Sequence, residues 1–219
     1  LALGATIGLA SAPASAAVWN SCDQWGNTTL NGYTLYNNIW GSGAGSQCVW
    51  ANSGTNWGVW ANHPNTGGIK SYPNSKKVIN KTITSLGSLT SSYNVTVPSS
   101  GAYNTSYDIW DTDYDYEIML WVNYNGAVGP LGTSQATSPS AATPGPSTRA
   151  ATARTRCSRS CARPTRRPAP STSCRSSSGS RTPSWFGNET IGDVQFGYEI
   201  TSSSGGLDFV TNSLTVSSS

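Results

Sequence analysis

In the stretch 116–123, YEIMLWVN, alternate residues divide into two sets. Side chains alternate across an extended strand, so Tyr116, Ile118, Leu120 and Val122 share one face, and Glu117, Met119, Trp121 and Asn123 share the other. The first set reads as core. The second, a carboxylate, a thioether, an indole and an amide, reads as the lining of a cleft on a curved sheet. The stretch 194–201, VQFGYEIT, repeats the arrangement, with Val194, Phe196, Tyr198 and Ile200 inward and Gln195 and Glu199 toward the cleft. Further strands are predicted at 57–61, 68–72, 92–97, 103–110 and 207–216. The run 33–40, YTLYNNIW, followed by GSGAGS and the run 47–51, is predicted to form a hairpin. Helical periodicity is scarce. Short strands separated by Gly, Asn, Ser and Pro predict an all-β antiparallel sandwich or jelly roll.

A single Glu in a strand is ordinarily a residue on a solvated face, but the chain has three Glu in all, and two of them fall on the cleft faces just described. The third, Glu189, lies in the turn-like GNET. Cleavage of a glycosidic bond needs two carboxyl groups, one to attack or to activate water and one to protonate the leaving oxygen. Nine Trp and ten Tyr stand against three Phe, which favours rings with a polar tip. Such rings suit a β-core and equally suit stacking on sugars. His63 has no set of metal ligands around it in the sequence, so a surface or loop position is expected, and no metal or cofactor is expected.

Residues 1–17, LALGATIGLASAPASAA, are small and apolar and end in Ala14-Ser15-Ala16, the pattern of a signal-peptide cleavage site, here without a basic start. The remainder, 18–219, is expected to be one exported domain of a size that buries a single core, with no membrane span. Cys22 and Cys48 then read as a disulfide.

All nine Arg lie within 149–181, whereas four Lys and ten acidic residues lie outside it, so the rest of the chain carries 4 − 10 = −6. From 136 to 184 the chain uses only Ala, Thr, Ser, Pro, Gly, Arg and Cys, too little apolar surface to fold. A linker and a basic nucleic-acid arm compete with a third account, translation one base out of frame. That account is preferred. These residues have G or C at the second codon position, as a GC-rich gene gives when its third positions are read as second ones. Read back by one base, 142–148 allows GHTWTVY and 157–162 allows VFSFVR, the latter a half-buried strand. Cys157, Cys161 and Cys174 are then artefacts, not a metal site.

The ordered segments Ser21-Cys22-Asp23-Gln24-Trp25, YTLYNNIWG (33–41), KSYPNS (70–75), YDIW (107–110), DYEIMLW (115–121), GPLG (129–132) and FGYEIT (196–201) resemble family 12 of the glycoside hydrolases. The resemblance covers about 19–135 and 185–219 and breaks over 136–184. It implies a concanavalin-like jelly roll with a concave substrate cleft and retaining cleavage of internal β-1,4-glucosidic bonds in cellulose-like or mixed-linkage glucans. It further implies Glu117 as nucleophile, Glu199 as acid/base, Asp108 bonded to the nucleophile, and Trp25, Asn38, Trp40 and Met119 in the cleft. A xyloglucan- or xylan-directed relative and a non-catalytic carbohydrate-binding sandwich are the alternatives. The expected partner is a β-glucan, met by a monomer, with no nucleic acid and no membrane.

Overall fold

The computed structural model describes residues 17–129, 156–158 and 188–219. Residues 1–16, and 136–184 apart from 156–158, lie outside the described residues, and with them the signal-peptide reading and nearly all of the out-of-frame reading.

The described residues form twelve strands: β1 (Trp19–Ser21), β2 (Asn27–Leu30), β3 (Tyr33–Tyr36), β4 (Ser46–Ser53), β5 (Asn56–Asn62), β6 (Asn74–Thr82), β7 (Leu89–Thr96), β8 (Ala102–Asp111), β9 (Glu117–Asn125), β10 (Arg156–Ser158), β11 (Thr190–Ser202) and β12 (Leu207–Ser218). They pair antiparallel into a five-stranded sheet, β1-β4-β5-β12-β7, and a seven-stranded sheet, β10-β9-β8-β11-β6-β3-β2. The fold is therefore an all-β sandwich, as the strand pattern predicts.

The core lies between the sheets and is built by alternation. Leu35 of β3, Val49 and Ala51 of β4, Trp57 and Val59 of β5, Ile200 of β11 and Phe209 of β12 are fully buried. Tyr103 meets Phe209 edge to face at 4.9 Å, and Trp57 meets Tyr198 at 5.5 Å. Buried tyrosines need partners for their hydroxyls. Tyr198 shares a hydrogen bond with Thr211 at 2.8 Å, and Tyr33 accepts the Val216 N–H at 3.0 Å. Leu120 and Val122 pack against this core as their face predicts. Tyr116, assigned to the same face, lies just before β9 and is 38% exposed.

The expected hairpin between 33–40 and 47–51 does not form. β3 belongs to the seven-stranded sheet and β4 to the five-stranded one. The chain leaves β3 at Tyr36 and turns through Asn38 in the left-handed region (φ 45). Beyond it, Trp40 and Gly41 give their N–H groups to Lys70 O at 3.2 and 2.8 Å instead of to a hairpin partner. The predicted strand 68–72 is reduced to bridges of Ser71 with Ile39 and Ile200. The disulfide Cys22–Cys48 is present. It follows the β1–β4 register, in which Ser21 faces Val49, and so staples two strands of one sheet rather than a hairpin. β10 pairs with Met119–Trp121 of β9, a short strand in a stretch whose residues show no strand alternation.

Candidate active site

Residues directly opposite each other in an antiparallel pair share a face, so the registers lay out the concave floor in rows. One row holds Glu117, Trp110, Asp193 and Val78, taken from β9, β8, β11 and β6. The next holds Met119, Asp108, Gln195, Lys76 and Thr34. A third holds Trp121, Ser106, Gly197, Asn74 and Tyr36, and beyond it Asn104 faces Glu199. On a flat sheet Glu117 and Glu199 would be two strands and six residues of β8 apart, about 20 Å along the strand. Both nevertheless line one cleft of about 330 Å³, and the charge of Glu117 adds to the burial that raises the pKa of Glu199. The twist that sheets carry curls this diagonal around the cleft.

Loops complete the lining with Asn38, Trp40, Tyr72 and Tyr114. Asn38 donates through Nδ2 to Tyr72 O at 3.1 Å and accepts the Tyr72 N–H at 3.0 Å, so the two loops are clamped together. Behind them His63 lies in a loop, one of the two positions expected, and is fully buried there instead of at the surface. Its Nδ1 accepts the Gly45 N–H at 3.0 Å, so Nε2 carries the proton and donates to Gln47 Oε1 at 2.8 Å. Burial, and then the Lys70 charge, push its pKa down to about 4, which keeps it neutral. Gln47 also accepts from Ser71 at 2.6 Å, tying the loop that carries Tyr72 to the sandwich.

The sequence-derived residues separate into two groups. Asn38, Trp40, Asp108, Glu117, Met119, Gln195 and Glu199 line the cleft. Trp25 and Trp121 do not. Trp25 stands 58% exposed before β2, and Trp121, though on the concave face, is 6% exposed and lies against Tyr124. Tyr72, Trp110 and Tyr114 line the cleft without having been singled out. Trp110 carried a signal, since it sits two residues from Asp108 on one strand face. Tyr72 and Tyr114 lie off the strands and carry no periodic signal.

Four titratable groups of the cleft have raised pKa values. Asp108 Oδ2 accepts the Trp110 indole N–H at 2.9 Å, while its Oδ1 is buried with no donor. Burial and then the Glu117 charge raise the Asp108 pKa to about 8. A hydrogen bond between the two carboxyls raises the pKa of Asp108 and lowers that of Glu117, so of the two Asp108 is the one that holds the proton as donor. That bond opposes the burial which raises the pKa of Glu117. Glu199 Oε2 accepts the Asn104 amide at 2.5 Å, and burial, relieved by that bond and augmented by Glu117, raises its pKa. Tyr72, 5% exposed, donates its hydroxyl to Ser106 O at 3.1 Å. Burial and the Asp108 charge hold that hydroxyl protonated.

The raised Asp108 pKa has a stability consequence. The folded chain holds a proton that the unfolded chain releases, so the contribution is complete below about pH 4 and is lost as the pH rises through about 8. Asp108→Asn keeps a donor for Glu117 and an acceptor for Trp110 and cannot ionise. Its melting temperature should exceed that of the wild type at pH 9, and the gap should close toward pH 4. Parallel melting curves across that range would contradict the assignment.

The profile of the family described as Glycosyl hydrolase family 12 matches residues 31–145. Among curated proteins, a probable xyloglucan-specific endo-beta-1,4-glucanase A from Aspergillus terreus is 35% identical over 129 residues, 52% of this chain and 52% of that protein. The xyloglucan-specific endo-beta-1,4-glucanase A from Aspergillus niger is 31% identical over 153 residues, 63% of this chain and 64% of that one. The chain thus matches between half and two thirds of the length of these relatives. Among solved structures, the xyloglucanase domain of NopAA, a type three effector from Sinorhizobium fredii determined with cellobiose, superposes with a TM-score of 0.68 at 30% identity, over 92% of this chain and 99% of that one. Endoglucanase cel12A from Rhodothermus marinus superposes with a TM-score of 0.63 at 21% identity, over 92% of this chain and 100% of that one, a likeness of fold.

Proposed function

The chain belongs to glycosyl hydrolase family 12, and on that premise we propose that it hydrolyses internal β-1,4-glucosidic bonds of a β-glucan by double displacement, with Glu117 as nucleophile and Glu199 as acid/base. The observation that carries this reading is two carboxyls lining one cleft, with Asp108 beside Glu117 and the Asn104 amide bonded to Glu199. Burial raises the pKa of Glu117, and a hydrogen bond from Asp108 opposes that rise. Glu199 is pushed toward its protonated form by burial and by the Glu117 charge. The Glu117 charge acting on Glu199 favours Glu199 as the later of the two to ionise, and so as the acid.

In the first step a Glu117 oxygen bonds to the anomeric carbon while the glycosidic C–O bond breaks, and Glu199 transfers its proton to the departing oxygen. In the second step Glu199, now a carboxylate, takes a proton from water, and the water oxygen displaces Glu117. Asp108 positions Glu117 throughout by donating to it. Trp40, 49% exposed in the cleft, offers a face for a sugar ring, and Asn38, Met119 and Gln195 border the path of the chain. Trp25 would extend that path beyond the cleft proper. Xyloglucan is favoured over unbranched cellulose by the names of the relatives at 30–35% identity.

Export and a single domain, proposed with the activity, are supported by the Cys22–Cys48 disulfide and by cores shared between the two sheets. Reducing ends released from xyloglucan, mixed-linkage glucan, soluble cellulose and xylan, together with an early fall in viscosity, test the reading. Release from none of them would remove it.

A further inference from the structure

The face of the five-stranded sheet turned away from the cleft carries two tryptophans seated on glycines. Trp50 of β4 stands opposite Gly58 of β5. A Cβ placed on Gly58 would lie 2.6 Å from Cζ2 and 2.7 Å from Cε2 of that indole, so the ring occupies the space over the glycine. Trp60, two residues along β5, is 37% exposed. A Cβ on Gly206 would meet its Cζ2, Nε1 and Cε2 at 2.8, 2.8 and 2.9 Å, near-equal distances that put one ring face flat on the glycine. The loop beneath is shaped for this. Gly205 and Gly206 have φ of 91 and 85, and Asn62 Oδ1 accepts the Gly205 N–H at 3.0 Å. Diagonal neighbours on adjacent strands lie about 7–8 Å apart, so the two indoles form one strip.

The surroundings of the strip are nearly uncharged. Asn20 stands opposite Trp50, and Val210 and Thr96 continue the row beyond Gly58. Asp208, opposite Trp60, is the one charged residue of these rows. A polyanion would find no cation here. Two indoles fall well short of the roughly 800 Å² that each partner commits to a stable protein complex. Aromatic faces rimmed by amides and hydroxyls instead match the C–H faces and hydroxyl edges of a neutral sugar chain.

We propose that Trp50 and Trp60 form a second platform for a β-glucan chain, separate from the cleft, that holds polymer beside the enzyme. The choice of a β-glucan rests on the function proposed above.

Electrophoresis of the full chain through gels containing soluble xyloglucan or hydroxyethyl cellulose tests the proposal, in a Glu117→Gln background so that the polymer stays intact. Adding Trp50→Ala and Trp60→Ala should raise the apparent Kd for the polymer about tenfold, the loss of aromatic contacts of this kind. Trp60→Phe, which keeps a ring, should retain most of the retardation. With Glu117 restored, kcat/KM on a short oligosaccharide that fills only the cleft should be unchanged by the Ala pair. Unchanged retardation would overturn the proposal. So would an equal loss of retardation and oligosaccharide hydrolysis together with a lower melting temperature, which would make the indoles structural. A dimer in light scattering that Trp60→Ala dissolves would give the strip to a second copy and overturn it as well. Retardation that the Ala pair abolishes, in a chain that releases sugar from no β-glucan, would leave the platform standing and remove the hydrolase reading.

Discussion

Replacing Glu117 with Gln is expected to lower kcat on soluble β-glucan by about 10⁴-fold or more with little change in KM, because the variant loses the atom that forms the covalent bond. Gln is nearly isosteric, and its amide oxygen still accepts the hydrogen bond from Asp108. Packing and substrate contacts should therefore survive while attack does not. The substitution also removes the charge that raises the pKa of Glu199. Burial, the larger cause of the rise, remains, so the pKa of Glu199 should fall only part of the way, which a titration of the variant can follow. A variant retaining a tenth or more of the wild-type kcat would remove Glu117 from the reaction. The same pair of proteins separates a hydrolase from a carbohydrate-binding sandwich, which would hold glucan and release no sugar with either residue in place.

Glu199→Ala should behave differently, and the difference depends on the leaving group. On polysaccharide the departing sugar oxygen needs a proton, so kcat/KM should fall by about 10²–10⁴-fold, the range for general acid catalysis. On an aryl glycoside whose phenolate leaves unaided, kcat/KM should fall far less, since that ratio reports the first step alone. The second step still lacks its base, so a burst of phenol followed by slow turnover should appear. Equal losses on both substrates would mean that Glu199 is not the acid. Asn104, which bonds Glu199 at 2.5 Å, holds the carboxyl in place for the two roles proposed for it.

Period-2 alternation was sufficient to find β9 and β11 and to put Glu117 and Glu199 on the concave side, because an acid on a strand face whose other face is core has few places to point. β6 escaped the same reading. Its sequence NSKKVINKT sets Asn74, Lys76 and Val78 along the floor, and a cleft floor is polar, so no apolar alternation marks the strand. Lys77, on the opposite face, places its ammonium 4.9 Å from the Tyr33 ring centre, a position that composition alone reads as solvent. The hairpin failed for a related reason. A Gly-Ser turn permits a reversal but does not force one, and the buried amides of Asn37 and Gln47, bonded at 2.7 and 2.9 Å, hold a crossing between the sheets instead.

His63 shows the limit for single residues. Its role follows from three partners that lie 8, 16 and 18 positions away, and no local pattern contains them. The row offset between Glu117 and Glu199 was equally hidden. Strand faces can be read from alternation, but the distance between two residues on a coiled sheet depends on register and twist. The aromatic count pointed to sugar stacking without saying which rings are available. Trp40 lines the cleft, Trp57 is core, and Trp50 and Trp60 lie on the opposite side of the molecule.

The configuration of the first product tests the central claim most directly. Retaining enzymes hold their carboxyls about 5–5.5 Å apart so that one can attack the sugar, and inverting enzymes leave about 6.5–9.5 Å for a water. Glu117 hydrogen-bonded by Asp108, with its charge felt at Glu199, fits attack by the residue itself. NMR spectra recorded in the first minutes of hydrolysis, before the new reducing ends mutarotate, should show the β anomer. An initial α anomer would contradict the account, since it would make Glu117 a base acting through water even if both glutamates proved essential.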